Sequence, residues 1–233
     1  MRTTITDERA LAAKASCGTS AGPIYSLVLN KAQETHVSGT VLDFGAGTGN
    51  LARLLCEDKN IVKVIASDIV EYGDNYQHPK LEWTFHDLNY DITLKAETVD
   101  AIFAVEVIEH LENPRHLARE WFRVLKPGGH LLVSTPNNES WRSILSLVLK
   151  SHFSAFTGPS YPAHIMALLR LDLERIFIEA GFSQVRFSFT DNGLLPKFKR
   201  MTWQKCSSGL LKGLRYSDNL LCVAVKPTTS EGT

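Results

Sequence analysis

Three glycines spaced by two residues, Gly45, Gly47 and Gly49, stand where an apolar segment gives way to a helical pattern. A glycine lacks the Cβ atom that would keep a ligand away from the backbone, and it tolerates the positive φ angles that a strand-to-helix reversal requires. Asp43, just before the turn, adds a carboxylate that faces the same crevice. These residue types at this spacing predict the binding turn of a nucleotide-type cofactor, although a glycine-rich turn also forms without a ligand.

A second acidic residue is expected about twenty residues after such a turn, at the end of the next strand, where it binds ribose. The β-branched segment 62–67 ends in Asp68, and one carboxylate can accept hydrogen bonds from two hydroxyl groups. Asp68 is therefore the predicted ribose ligand, against the plainer alternative of a solvated acid at a strand end. A dinucleotide fingerprint would place a third glycine where this chain has Asn50.

The elements that must position these residues alternate along the chain. Strands are predicted at 41–44, 62–68, 81–86, 99–105, 130–135, 185–189 and 220–225, and helices at 51–56, 114–125 and 175–180. A turn over residues 126–129 separates the second of these helices from the fifth strand. Such alternation predicts an α/β fold with a mostly parallel sheet that is covered by helices on both faces.

Together, these motifs resemble those of the class I S-adenosylmethionine-dependent methyltransferases. The resemblance rests on the acid-x-Gly-x-Gly-x-Gly turn at 43–49, the Glu-Val-Ile-Glu-His-Leu segment at 106–111 and the Leu-Lys-Pro-Gly-Gly segment at 125–129. It covers roughly residues 38–190 and 218–226. It implies a Rossmann-like, doubly wound sheet of seven strands, in which the seventh lies antiparallel beside the fifth.

The same resemblance implies S-adenosylmethionine as the cofactor and S-adenosylhomocysteine as its product. In the family, the acid that corresponds to Asp87 accepts a hydrogen bond from the exocyclic amine of adenine, and the backbone amide at Leu88 lies at the edge of the ring. The residues expected to contact the cofactor are Asp43, Gly45, Ala46, Gly47, Gly49, Asp68, Ile69, Asp87, Leu88 and Glu106.

The methyl acceptor is expected beside Glu106, Glu109, His110 and His164. A sulfonium methyl is already activated, so the protein needs mainly to hold the acceptor in line and, where a proton must leave, to supply a base. His110 is the candidate base and His164 the second candidate, since neutral histidine can accept a proton from a hydroxyl group. The alternative is a structural histidine bound to a backbone carbonyl. No metal is expected to be required.

The acceptor defines three functional hypotheses. Glu-Val-Ile-Glu-His is found in enzymes similar to the ubiquinone-pathway O-methyltransferases, which favours transfer to a hydroxyl, or an amine, of a small-molecule, saccharide or lipid-linked acceptor. Small-RNA 3′-terminal 2′-O-methyltransferases use two glutamates and two histidines to hold Mg²⁺, and the resemblance to them would give that role to Glu106, Glu109, His110 and His164. The third hypothesis is a non-catalytic scaffold, which the intact glycines and Asp68 disfavour.

Composition fits one methyltransferase domain over residues 1–233, with a cofactor-binding core at 38–135 and a flexible tail at 227–233. The chain has 233 residues, 44% of them hydrophobic, and a formal net charge of zero, so nothing in its overall charge attracts nucleic acid or anionic membrane. Its four cysteines form no Cys-x-x-Cys pair, and residues 1–15 lack the apolar stretch of a signal peptide. We expect a cytoplasmic protein; the sequence does not specify an oligomeric state.

Two segments lie outside the predicted cofactor core. Residues 136–169 follow the fifth strand and contain Trp141, Phe153, Phe156 and Tyr161, and we expect them to form a lid over the acceptor or, alternatively, to cover the sheet edge. Residues 191–216 mix basic and apolar side chains, which suits a partner, an anionic acceptor or peripheral contact with lipid headgroups. A solvated helix with a basic face is the simpler alternative. The basic residues are Lys197, Lys199, Arg200, Lys205, Lys212 and Arg215.

Overall fold

A computed structural model describes residues 4–16, 18–73, 75–198 and 200–228. Cys17, Lys199 and residues 229–233 of the predicted tail lie outside this part of the chain. The described residues form seven strands, which are β1 Gly39–Phe44, β2 Ile61–Asp68, β3 Leu81–Phe85, β4 Val99–Val105, β5 Leu125–Pro136, β6 Ser183–Phe189 and β7 Asn219–Val225. The helices are α1 Ile5–Ala15, α2 Gly22–Glu34, α3 Asn50–Glu57, α4 Pro114–Val124, α5 Trp141–Lys150, α6 Arg170–Ala180 and α7 Trp203–Cys206.

All seven strands form one sheet in the order β3-β2-β1-β4-β5-β7-β6. β1 to β5 are parallel, and β7 runs antiparallel between β5 and β6. The predicted Rossmann-like fold with an antiparallel seventh strand is therefore confirmed. The order reverses beside β1, and ligands of open α/β sheets bind at such a switch point, outside the carboxyl ends of the strands.

Helices cover both faces of the sheet. Neighbouring residues of a strand point to opposite faces, so each strand contributes side chains to two hydrophobic clusters. On one face, Leu42 and Phe44 pack with Trp121 of α4 and Phe177 of α6. On the other, Val41 packs with residues of α2 and α3, including Val28, Leu51 and Leu55. The continuous apolar runs predicted as strands thus lie between two helical layers, as expected for a parallel sheet.

The start of β5 differs from the prediction. Helix α4 ends at Val124, and β5 begins at Leu125 rather than at His130, because Leu125 already pairs with Val99 of β4. The predicted glycine turn is a kink within the strand: Gly128 has a φ of +79°, and its N–H donates to the carbonyl of Lys226 at 2.8 Å. The residue that follows β7 supplies this partner, which the local turn pattern could not indicate.

Two helices precede the predicted core. Helix α1 begins at a capping box in which the Thr4 side chain accepts from the Asp7 backbone N–H and the Asp7 carboxylate accepts from the Thr4 backbone N–H. Helix α2 has Pro23 in its first turn and buries Ile24 and Val28 against the sheet. Among the described residues, no helix combines the length and the apolar character that crossing a bilayer requires.

Candidate active site

A cavity of about 500 Å³ lies at the carboxyl ends of the central strands. Its floor is formed by residues that end or follow β1, β2, β3 and β4, which is the switch point of the sheet. Its other walls include the N-terminal segment, Tyr161–Ile165 and Asn219 of β7. The predicted site residues that line it are Asp43, Gly45, Ala46, Gly47, Asp68, Ile69, Asp87, Leu88, Glu106, His110 and His164.

The glycine turn adopts the predicted backbone, with φ of +78° at Gly45, +55° at Gly47 and +87° at Gly49. The space that each missing Cβ leaves is taken up by other parts of the chain. A Cβ atom would lie 2.2 Å from Val107 Cγ2 if built on Gly45, and 2.1 Å from the carbonyl oxygen of Gly18 if built on Gly47. The glycines therefore serve the close approach of protein segments as well as the reversal of the chain. Gly49 does not line the cavity.

Asp43 and Asp68 form the acidic floor of the cavity. Asp68 accepts hydrogen bonds from the backbone N–H groups of Gly47 at 2.7 Å and Val70 at 2.9 Å, so its carboxylate holds the glycine turn in place. Asp43 is 2% exposed, and its Oδ2 atom has no hydrogen-bond partner. Burial, with the charge of Asp68 beside it, raises the pKa of Asp43 to about 7, and burial also raises the pKa of Asp68.

Asp87 lies at the end of the cavity that the family resemblance gives to adenine. Its Oδ2 atom accepts from Arg9 at 2.7 Å, and its Oδ1 atom accepts from the backbone N–H of Asn89 at 3.0 Å. Burial alone would raise the pKa of this carboxyl group, but the hydrogen bonds from Arg9 and Asn89 outweigh it and hold the pKa below its ordinary value. The Asp87 carboxylate is thus already bound within the protein.

Glu106 joins the cofactor end of the cavity to its other end. It follows β4 with a φ of +55°, and its carboxylate accepts from the Ser134 hydroxyl at 2.9 Å and from the Asn219 side chain at 2.9 Å. Burial raises its pKa to about 7 despite these two donors. Asn219 was not among the predicted site residues, because it begins β7 and reaches the cavity only through the antiparallel insertion of that strand.

His110 and His164 meet at the far end, with their ring centroids 4.8 Å apart. His110 Nδ1 lies 2.8 Å from the carbonyl oxygen of Ala163, and His164 Nδ1 lies 2.8 Å from that of Ala155. A carbonyl can only accept, so Nδ1 carries the proton in both rings and the lone pair is on Nε2. Burial and the neighbouring His164 lower the pKa of His110 to about 4, and burial lowers that of His164.

Glu109 completes this cluster. Its side chain is fully buried; Oε2 accepts from the Thr135 hydroxyl at 3.1 Å, while Oε1 has no hydrogen-bond partner and lies 4.0 Å from His110 Nε2. Burial and the charge of Glu106 raise the pKa of Glu109 well above its ordinary value. One ligand atom each from Glu109, His110 and His164 lie within 4.8 Å of one another, a spacing that could hold a metal ion.

The charge of the cavity suits a cationic ligand. Among the described lining residues, six are acids and one is an arginine, namely Glu8, Asp43, Asp68, Asp87, Glu106, Glu112 and Arg9. S-adenosylmethionine carries a sulfonium and an ammonium group, so the unpartnered Oδ2 of Asp43 and the acidic floor fit it. Arg9 and Tyr25 also line the cavity and were not predicted, because both precede the glycine turn. The capping pattern Thr4-x-x-Asp7 was the signal for the helix that carries Arg9.

The two segments outside the core differ in their relation to the cavity. From 136–169, Tyr161 to Ile165 line it, and backbone N–H groups of Ile165 and Met166 donate to the carbonyl of Glu109. Phe156 packs against His164, whereas Trp141 lies outside, beneath Arg215. No described residue of 191–216 lines the cavity; a separate groove there is lined by Phe198, Arg200, Met201, Lys205 and Cys206.

Comparisons with known proteins agree with this geometry. The model of a family described as a methyltransferase domain matches residues 22–186. A probable S-adenosylmethionine-dependent methyltransferase of Mycobacterium tuberculosis is 29% identical over 62% of this chain and 49% of its own length. The ubiquinone biosynthesis O-methyltransferase of Dictyostelium discoideum is 27% identical over 48% of this chain and 40% of its own. This chain thus spans half or less of these curated relatives.

The fold has a close counterpart among solved structures. An S-adenosylmethionine-dependent methyltransferase from Archaeoglobus fulgidus superimposes with a TM-score of 0.65 over 91% of this chain and 97% of its own. Its sequence identity is 18%, so this similarity is one of fold.

Proposed function

This chain belongs to the class I S-adenosylmethionine-dependent methyltransferases, and we propose that it transfers a methyl group to a hydroxyl, or an amine, of a small-molecule, saccharide or lipid-linked acceptor. One observation carries the proposal: a single cavity joins the glycine turn and Asp68 to the neutral imidazoles of His110 and His164. Cofactor and acceptor can therefore meet inside one enclosure.

In this proposal, residues at one end of the cavity bind the cofactor and residues at the other end bind the acceptor. When bound, S-adenosylmethionine supplies a methyl group that its sulfonium charge has activated. The Asp68 carboxylate, fixed by the N–H groups of Gly47 and Val70, would accept hydrogen bonds from the ribose hydroxyls, and the buried Asp43 would balance positive charge. The segment 161–165 holds the acceptor in line and limits the access of water, which supplies much of the acceleration.

His110 is the proton acceptor in this proposal. Its Nδ1 is held by Ala163, which leaves the lone pair on Nε2, and its lowered pKa of about 4 keeps the ring neutral near pH 7. The ring would take the hydroxyl proton as the acceptor oxygen bonds to the methyl carbon and the bond from that carbon to sulfur breaks, which leaves S-adenosylhomocysteine as the second product. His164 keeps the edge of this ring packed and is the second candidate. The name of the Dictyostelium relative, an O-methyltransferase, supports a hydroxyl acceptor.

A second candidate is metal-dependent transfer to a ribose hydroxyl at the 3′ end of an RNA. Two observations favour it: Glu109, His110 and His164 lie within chelating distance, and a base of pKa about 4 is weak for an alcohol proton. A bound cation would lower the pKa of the hydroxyl itself. Against it, the fourth residue, Glu106, is engaged by Ser134 and Asn219, and an acidic cavity repels phosphates.

Methyl-labelled S-adenosylmethionine, incubated with the protein and a cell extract, tests the proposal. Label is counted in RNA, protein, organic-soluble and aqueous small-molecule fractions, with the Asp68→Ala variant and heat-treated protein as blanks. Counts above both blanks in a small-molecule fraction support the proposal, and counts in RNA support the second candidate. Cofactor binding without transfer to any fraction would favour a non-catalytic scaffold.

We also place the protein in the cytoplasm, since Cys56, Cys206 and Cys222 are free thiols.

We further propose peripheral contact with lipid headgroups through the exposed Phe198 and Met201, which lie beside Arg200 and Lys205. This contact would suit a lipid-linked acceptor.

A further inference from the structure

Helix α1 lies across the cavity without belonging to the core. None of its residues is buried, yet Ile5, Glu8, Arg9, Ala12 and Ala13 all line the cavity. An isolated helix of 11 residues is marginal in water, so α1 depends on its contacts with the rest of the protein for its position. Those contacts decide whether the cavity is closed on this side.

Arg9 makes the strongest of these contacts. Its Nη1 atom lies 2.7 Å from Asp87 Oδ2, while Nη2 and Nε lie 2.6 Å and 3.0 Å from the two carboxylate oxygens of Glu112. The guanidinium also lies over the Tyr90 ring, with its central carbon 5.5 Å from the ring centroid. Bidentate and charge-assisted hydrogen bonds of this kind are among the strongest in proteins.

The two carboxylates come from opposite sides of the cofactor region. Asp87 follows β3, and Glu112 follows the turn after β4, while β2 and β1, which carry Asp68 and Asp43, lie between those strands in the sheet. The Arg9 side chain is 17% exposed and that of Asp87 only 4%, so this half of the contact is shielded from water. One side chain of α1 thus joins two loops above the predicted cofactor site.

The chain after α1 has a second attachment point. The carbonyl of Gly18 accepts from the N–H of Thr48 at 3.1 Å, and Gly18 lies directly on Gly47. Helix α1 is therefore tied to the glycine turn beyond its carboxyl end and to Asp87 and Glu112 through Arg9. The Thr6 hydroxyl also donates to Asp87 at 3.4 Å, and the carbonyl of Ala13 accepts from the Tyr72 hydroxyl at 3.5 Å. Releasing Arg9 would remove the shortest of these contacts and let the helix swing away while the Gly18 contact remains.

We infer that Arg9 is a positioning residue that latches α1 over the cofactor, and that cofactor exchange requires its contacts with Asp87 and Glu112 to open. This inference rests on the proposed function. We call the contacts of Arg9 with Asp87 and Glu112 the latch. The inference also gives Asp87 a role that the family resemblance does not supply, because its carboxylate binds Arg9. Release of S-adenosylhomocysteine is then governed by the latch, as is common for enzymes with lids.

The test measures the dissociation rate of S-adenosylhomocysteine by stopped-flow displacement in the full chain. Arg9→Ala is expected to raise this rate by about tenfold or more, since it removes several charge-assisted hydrogen bonds. Arg9→Lys keeps the positive charge but loses the planar guanidinium that binds both oxygens of Glu112, so it should give an intermediate rate. The matched control is Arg115→Ala, which breaks a surface pair with Glu179 away from the cavity.

Two further readouts separate a latch from a general loss of stability. Hydrogen exchange of residues 5–16 should increase in Arg9→Ala while the thermal unfolding midpoint stays near that of the control. The effects of Arg9→Ala and Glu112→Gln on the dissociation rate should be non-additive. An unchanged rate in Arg9→Ala, with normal binding by the wild type, would overturn the latch alone. No binding by the wild type would overturn the proposed function and the latch together.

Discussion

The imidazole rings of His110 and His164, far apart in the chain, meet edge to face with their centroids 4.8 Å apart. Each ring donates its Nδ1 proton to a backbone carbonyl, of Ala163 and Ala155 respectively. The loop that carries these carbonyls is attached in turn to the carbonyl of Glu109. The histidines are therefore held in one tautomer and one orientation, and one ligand atom of each lies within 4.8 Å of the other and of a Glu109 oxygen.

The first prediction concerns His110 as the proton acceptor. Replacing it in His110→Ala should lower kcat by about 10²- to 10⁴-fold, the usual loss for a general base, while the Kd for S-adenosylhomocysteine changes little. Steady-state kinetics with the acceptor found by methyl labelling, together with calorimetry, measure the two effects. The control is His116→Ala, because the wild-type His116 side chain pairs with Asp91 at the surface. Equal kcat values for His110→Ala and the control would remove the base assignment.

The second prediction concerns a divalent cation at Glu109, His110 and His164. If transfer to a small-molecule hydroxyl proceeds through His110 as the base, treatment with EDTA followed by gel filtration should leave the rate of methyl transfer unchanged. If the second candidate is correct, the rate falls and returns on addition of Mg²⁺, Mn²⁺ or Zn²⁺. Electron paramagnetic resonance of added Mn²⁺ measures binding of the cation independently of activity. Restoration of activity by a metal would decide for the metal-dependent alternative.

The third prediction concerns the buried carboxyl group of Asp43. Its pKa is near 4 in the unfolded chain and about 7 in the folded protein, because burial and the charge of Asp68 oppose ionisation. Between these values the folded state holds a proton that the unfolded state has lost, so this group's contribution to the free energy of unfolding falls as pH rises from about 4 to about 7. Asp68, Tyr25 and Cys56 are the titratable groups coupled to it.

The Asp43→Asn variant cannot titrate at this position, so its free energy of unfolding should lack this dependence on pH. Relative to the variant, the wild type should be most stable near pH 4 and should lose this advantage by pH 7, with no further change above. Thermal unfolding of both proteins followed by circular dichroism across pH 4 to 8 measures the difference. Parallel curves for the two proteins would show that Asp43 does not carry the raised pKa.

The fourth prediction concerns the core that supports the site. Trp121 of α4 is fully buried and contacts Phe44 of β1 and Phe177 of α6, with ring centroids 5.6 Å and 6.3 Å apart. Trp121→Ala should reduce the free energy of unfolding by about 3 to 5 kcal/mol, because it leaves a cavity between these elements. Urea denaturation measures the change, and Trp141→Ala, on an exposed helix face, is the control. A loss no larger than that of the control would contradict the packing described.

The sheet was predictable because local patterns determine it. The apolar run that contains Asp43, the β-branched run that ends in Asp68, and the alternation of strands with helices indicate a mostly parallel sheet. The start of β5 was not predictable, since Leu125 and Gly128 are held in the strand by Val99 and Lys226, which are distant in sequence. Helix α1 was missed for a similar reason: it has no buried face, and Arg9 fixes it through Asp87 and Glu112.

The candidate site was predictable as a set of residues but not as a set of interactions. Strand ends brought Asp43, Asp68 and Glu106 to one edge, as the spacing predicted. The sequence could not indicate that Glu106 is engaged by Asn219 of β7, nor that Asp87 is paired with Arg9. These partners come from the antiparallel insertion and from the N-terminal segment, and both depend on tertiary packing.

The most direct test of the account is calorimetric titration of the wild type and of Asp68→Ala with S-adenosylmethionine. We predict one binding site in the wild type and a loss of on the order of 2 to 4 kcal/mol in the variant, the scale for removing a charged hydrogen-bond acceptor. Asp91→Ala, on an exposed surface, serves as the control and should bind as the wild type does. Equal affinity for the wild type and Asp68→Ala, or no binding by either, would contradict the assignment of this cavity to the cofactor.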